Sequence, residues 1–237
     1  MPRVMLVIIV LVALAPHRAS AGACAQPPPV VRVLTTTDIE ISSGGGIVAQ
    51  VDDPAKAPAW RFAGANADAT VKRIAPGLGT IDLPPSKRWV TLTEGKKPLV
   101  RVRAAKVDAP PLGAPEVTRV ERTSQTGRRG TSVTTEATVK GVPPDALALV
   151  VFGAGKTGRL GRSWASVASS AGLSTGPHAS LAIQIYASGS CMAVPVGWTD
   201  SRDGDKIELA WLDRSGRLSK STTITVTAKL PSGPSGD

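Results

Sequence analysis

The sharpest motif in the chain is Gly153-Ala154-Gly155-Lys156-Thr157-Gly158, directly after the apolar run 146–152. It matches GxGxxG. A dinucleotide site uses such glycines for a tight turn and for close approach of a pyrophosphate to a helix N-terminus. Here no βα unit precedes the run, and Gly176 to Ser180, about twenty residues on, offer no acid for a ribose hydroxyl. Gly155-Lys156-Thr157 also resembles the end of a phosphate-binding loop. That loop needs a glycine five residues earlier, and Val150 stands there, so the cradle of backbone N–H groups is incomplete. The motif reads as a glycine-rich loop between strands, and no cofactor is expected.

Asp200, Asp203 and Asp205 fall within six residues and could hold Ca²⁺, which prefers oxygen ligands. The EF-hand order is absent, and Asp203-Gly204 is a common hairpin-turn pair. Asp52-Asp53 precedes Pro54 in another turn. There is no GxSxG sequence. With His17 in the N-terminal segment, His178 is the only other histidine, in a Thr-Gly-Pro-His stretch read as a solvated loop. Two His and two Cys leave little for a metal site built on those residues or for His-based catalysis. No catalytic or metal-binding residue is assigned.

The basic pairs Lys87-Arg88, Lys96-Lys97 and Arg128-Arg129 stand beside Arg101, Arg103 and Arg119. Arg101 and Arg103 share one strand face by the period of two. Lys87, Arg88, Lys96, Lys97, Arg101 and Arg103 together make a candidate patch for an anionic surface, against a plain solvated sheet face or hairpin tips. The whole chain carries 28 basic and 18 acidic residues. The excess is spread evenly: residues 26–112 hold 12 basic and 8 acidic, residues 113–237 hold 14 and 10. That distribution does not point to specific nucleic-acid recognition, which needs a concentrated patch.

Residues 1–21 read as a secretory signal peptide. Arg3 gives the positive start, Val4 to Ala15 the apolar run, and Ala19-Ser20-Ala21 the small residues for cleavage. Twelve apolar residues fall short of the ~20 that span a bilayer. No second run approaches that length, so no transmembrane segment is expected in the mature chain. Ala21-Gly22-Ala23-Cys24 resembles a bacterial lipobox, with Ala in place of the usual Leu. The competing fate of Cys24 is a disulfide with Cys191 in an oxidising compartment, or two unpaired thiols.

These segments must be positioned by β-structure. Gln26 to Pro29 makes a stiff leader, so 22–29 is assigned as Pro-rich. From Val30, short runs rich in β-branched residues alternate with Gly, Pro and Asp turns: 30–37, 38–42, 46–51, 59–64, 69–74, 79–83, 88–93 and 98–105. Three Pro between Asp108 and Pro115 mark a linker at 109–115. The pattern restarts at 116–124, on a bulged strand, and continues through 131–141, 146–154, 180–188, 192–199, 205–213 and 221–230. Arg159 to Gly172 reads as a short helix or irregular loop. The tail 231–237 is expected to be disordered. Gly 24 and Pro 20 suit a turn-rich β protein. Trp60, Trp89, Trp164, Trp198 and Trp211 read as core or sheet-edge anchors.

Residues 204–228, GDKIELAWLDRSGRLSKSTTITVTA, resemble the closing hairpin of bacterial fibronectin type III-like and immunoglobulin-like modules. The turn would be Asp213-Arg214-Ser215-Gly216 and the last strand Thr222 to Thr227. The likeness covers those 25 residues, and the rest of 115–230 by strand count. The first half is similar to immunoglobulin-like repeats of envelope proteins. Neither half has the Cys–Trp–Cys spacing of antibody domains. The resemblance implies a spacer or binding module and brings no catalytic residue with it.

The expected fold is therefore all-β: two tandem Ig-like/fibronectin type III-like β-sandwich domains, 30–108 and 116–230, after a signal peptide. The expected function is an exported, non-enzymatic binding or structural module of the bacterial cell envelope, periplasmic, cell-surface or secreted. An envelope protein or an acidic polysaccharide would be the partner. The alternatives are a lipoprotein anchored through Cys24, or an accessory domain of a hydrolase or a weak secreted hydrolase itself. The Ala/Gly/Val/Arg-rich composition suggests a high-GC bacterial source.

Overall fold

The computed structural model describes residues 30–53, 58–65, 67–127, 130–154, 162–167, 176–188 and 203–228. Every regular element among them is a β-strand. The first nine are β1 (Val31–Val33), β2 (Ile39–Ile41), β3 (Ile47–Val51), β4 (Trp60–Ala63), β5 (Ala67–Asp68), β6 (Val71–Ala75), β7 (Leu78–Ile81), β8 (Val90–Glu94) and β9 (Lys97–Ala104). Eight follow: β10 (Glu116–Gly127), β11 (Gly130–Val142), β12 (Ala146–Ala154), β13 (Arg162–Ser166), β14 (Gly176–Ser188), β15 (Lys206–Asp213), β16 (Thr222–Thr225) and β17 (Thr227–Ala228). No helix among the described residues is long and apolar enough to cross a membrane.

The strands form four sheets. The first runs β2-β9-β8-β4-β5 and the second β1-β3-β7-β6. The third runs β13-β12-β15-β16 and the fourth β14-β11-β10-β17. Two pairings are parallel, β2 with β9 and β10 with β17. The rest are antiparallel.

Side-chain alternation divides the apolar residues among three clusters. The first sheet gives Trp60, Phe62, Leu92 and Val102 to a cluster completed by Ile47, Ala49 and Ile81 of the second. The third sheet gives Leu149, Val151, Leu209 and Trp211 to a cluster completed by Val120, Ala137 and Val139 of the fourth. The remaining cluster joins the two halves of the chain: Val48, Ala75 and Leu78 of the second sheet meet Ala148, Val150 and Leu212 of the third. Thus β3 and β12 are buried on both faces. Ile47 and Ala49 point one way and Val48 the other; Leu149 and Val151 oppose Ala148 and Val150. A strand covered on both sides reads as a continuous apolar run, which is how 146–152 looks in sequence.

Polar contacts reinforce this junction. The Trp164 indole N–H donates to the carbonyl of Pro76 at 3.1 Å. The Thr35 hydroxyl donates to the Arg214 carbonyl at 3.4 Å and accepts the Val48 N–H at 3.1 Å. Arg217 binds the Asp213 carboxylate through Nε at 3.1 Å and Nη2 at 3.0 Å. Its Nη1 also donates to the carbonyl of Ala109, at 2.8 Å. The segment 109–115 is therefore held at several points. Ala109 donates its N–H to the Ser42 hydroxyl, Leu112 packs against an apolar cluster, and the Pro115 carbonyl accepts the Thr222 hydroxyl at 2.6 Å.

The strands follow the sequence pattern closely. β10 carries a register shift between Val117 and Arg119, the expected bulge. Two segments differ. Where a short helix or loop is expected, Arg162–Ser166 forms β13, because it pairs antiparallel with Phe152 to Ala148 while Trp164 packs into the junction cluster. β14 begins at Gly176 rather than at residue 180, which places His178 in a strand instead of a loop. The expected signal peptide, leader, 192–199 strand and tail lie outside the described residues.

Candidate anion-binding face

The β8–β9 hairpin builds the most distinctive surface of the described residues. In β9, Val100 and Val102 are buried while Arg101 and Arg103 take the opposite face. In β8, Val90 and Leu92 are buried and Thr91 faces outward with the arginines. Val90 pairs with Val102 and Thr91 with Arg101. Continuing that register one step sets Trp89 opposite Arg103, on the outer face. Trp89 is 37% exposed, whereas Trp60 and Trp211 are core residues. The guanidinium carbons of Arg103 and Arg101 lie 4.9 Å and 5.4 Å from the centre of its ring, within cation–π range.

The neighbouring strand β2 and the residue just before it supply carboxylates. Glu40 is the register partner of Arg103, and its Oε1 accepts from Nε at 2.8 Å and also contacts Nη2. Asp38 accepts the backbone N–H of Arg101 at 3.2 Å, and its second oxygen stands 3.6 Å from Nη1. A guanidinium has five N–H donors, so neither arginine is exhausted by its acid. Arg61 and Asp68 pair at 3.1 Å on the same sheet. Exposed pairs of this kind contribute about 0–1 kcal/mol, little enough for an incoming anion to displace or share them.

The six basic residues of the sequence pattern are not gathered in one spot. Lys87 and Arg88 are exposed and lead directly into Trp89, beside Arg101 and Arg103. Of these four cations, Arg101 and Arg103 are each paired with an acid, Asp38 and Glu40. Lys96 and Lys97 sit at the far end of the hairpin, next to Gly95, with Lys97 opposite Glu94. At ~3.4 Å per residue they lie about 20 Å from Arg103. Arg119 is paired with Glu121 on β10 of the fourth sheet. Arg128 and Arg129 lie outside the described residues.

Other sequence candidates fall elsewhere. Cys24, Cys191, Trp198, Asp200 and Gly155 to Gly158 lie outside the described residues. Asp203 and Asp205 flank Gly204, whose φ of 82° fits a tight turn. That turn is tied to Val226, whose carbonyl accepts the Gly204 N–H and whose N–H donates to the Asp205 carbonyl.

A cleft of about 570 Å³ opens where β2 and β9 end, lined among others by Ser43, Lys72, Asp82, Lys106 and Asp108. Its two acids are both engaged. Asp82 is ion-paired with Lys72. The Ser43 hydroxyl and then its backbone N–H hold the Asp108 carboxyl below its ordinary value of 3.8. A general acid needs a shift in the other direction. Asp108 is therefore held as a hydrogen-bond-accepting carboxylate rather than as a proton donor.

Sequence reasoning grouped the arginines and read Trp89 as a core or sheet-edge anchor; the structure leaves it exposed at the surface. The available signal was phase: Trp89 falls on the polar side of the alternation that buries Val90 and Leu92. No protein-family model and no curated protein matches the chain.

Proposed function

We propose that the chain is an exported, non-enzymatic binding protein of the bacterial cell envelope, built from two tandem Ig-like/fibronectin type III-like β-sandwich domains, 30–108 and 116–230. The observation that carries the binding role is the exposed Trp89 ring with Arg101 and Arg103 over it. A large aromatic left at the surface of a sheet, between two cations, costs apolar burial and provides ready contact area for a partner.

Strand order supports the two-domain reading. In each half, an early strand pairs in parallel with the last one, β2 with β9 and β10 with β17. Each half also distributes its strands over two sheets that share an apolar cluster. Export rests on the N-terminal pattern of Arg3, Val4 to Ala15 and Ala19-Ser20-Ala21.

The test is fractionation of the native host with intact-mass measurement of the protein. A chain starting at Gly22, retained by the envelope and released by a high-salt wash, is the expected result. An acylated Cys24 start would mean a lipoprotein instead. A full-length chain in the cytosol would overturn the proposal.

A further inference from the structure

We infer that the Trp89 face recognises a linear polysaccharide bearing carboxylates, with Arg101 and Arg103 as its anion-binding forks; this rests on the binding-protein reading above. Four features of the face converge on that ligand. A guanidinium lying over an indole is held in place, and its N–H edges remain able to grip a planar carboxylate. Arg101 and Arg103 have Cα atoms about 7 Å apart on β9 and guanidinium carbons 5.4 Å and 4.9 Å from one ring centre, so two separate forks stand side by side, which suits successive carboxylates along a chain better than one compact anion. The exposed indole offers apolar area to sugar C–H groups, with the half-buried Thr91 beside it on the same face. Lys87 and Arg88, exposed and directly before Trp89 in the chain, add two positive charges to the segment that carries the ring.

A lipid surface fits less well. The other exposed large apolar residues among those described are Val30, Val107 and Leu218, and none lies on β2, β4, β8 or β9. Trp89 would have to insert alone.

Glu40 and Asp38 then act as positioning residues. They hold the arginines extended in the free protein and compete with the ligand when it arrives. This makes a prediction of opposite sign for two substitutions a few ångströms apart. Arg103→Lys keeps the charge but loses the planar fork, and should weaken binding. Glu40→Gln keeps the shape but removes the competing charge, and should tighten it.

The test is calorimetric titration of the purified protein with polygalacturonate oligomers. Neutral dextran, inorganic phosphate and phosphatidylglycerol vesicles are titrated in parallel, and the fold of every variant is checked by circular dichroism. Polygalacturonate should bind and dextran should not. Trp89→Ala and Arg101→Ala should each weaken binding about tenfold, the scale of one charge-assisted hydrogen bond or desolvated cation–π contact. Arg103→Lys should weaken it and Glu40→Gln strengthen it. Binding unchanged in Trp89→Ala and Arg103→Lys would reduce the effect to diffuse charge and overturn the inference. Binding to vesicles or phosphate but not to polygalacturonate would overturn it too. In that case retention by the native envelope decides separately whether the broader reading survives.

Discussion

The backbone N–H of Gly46 donates to the carbonyl oxygen of Ser215 at 2.7 Å, joining turns that are far apart in sequence. The approach is close because both turns are glycine-lined. A Cβ on Gly45 would collide with the Ser215 carbonyl oxygen, and one on Gly216 with the Gly46 carbonyl oxygen. Gly216 also has φ +75°, a region costly to side chains. Gly216→Ala should therefore destabilise the protein by about 2–3 kcal/mol, from backbone strain and lost contact together. In a thermal melt this is a fall in Tm of roughly 5–10 °C. An unchanged Tm would mean that the junction does not form in solution.

The junction cluster makes a second expectation. Leu78 is buried, 2% exposed, where the second sheet meets the third. Leu78→Ala should cost about 2–4 kcal/mol by transfer and cavity terms. Because the lost contacts span both halves, the variant should also unfold less cooperatively. Guanidinium unfolding followed by Trp fluorescence and by circular dichroism should coincide in the wild type and separate in the variant. Curves that separate already in the wild type would contradict a shared core that couples the halves.

The Ser43–Asp108 contact carries a pH signature. Ser43 lowers the Asp108 carboxyl from its ordinary 3.8 in the folded protein, first through its hydroxyl and then through its N–H. A depressed folded-state value means that the unfolded chain binds the proton more tightly. The contribution is thus complete above about 3.8 and is lost as pH falls through the lower folded-state value. In a pH series of melts, Asp108→Asn should lose stability relative to wild type at neutral pH, and the gap should narrow in acid. A gap independent of pH would assign the effect to packing alone.

Much of this architecture was legible in sequence for simple reasons. Val100-Arg101-Val102-Arg103 alternates because one face of β9 is core and the other solvent, so strand and facing could both be read. The run 146–154 was legible as a central strand because β12 is covered on both sides. β13 was hidden: Arg162–Ser166 is short and Ser-containing, and it becomes a strand through its pairing with β12 and the burial of Trp164 against Pro76. The junction cluster was hidden as well. Val48, Leu78 and Val150 come from distant segments, and periodicity shows that a face is apolar without naming what covers it. At the candidate site the sequence located the arginines, while the outward placement of Trp89 depends on the register that sets it opposite Arg103.

The most direct test of the binding face is hydrogen–deuterium exchange with and without polygalacturonate. Protection should appear in segments 88–94 and 97–104, the two strands of the hairpin that carry Trp89, Arg101 and Arg103. Protection confined to the cleft segments 42–45 and 106–108, or to β10 and β11, would place the binding surface elsewhere and contradict it.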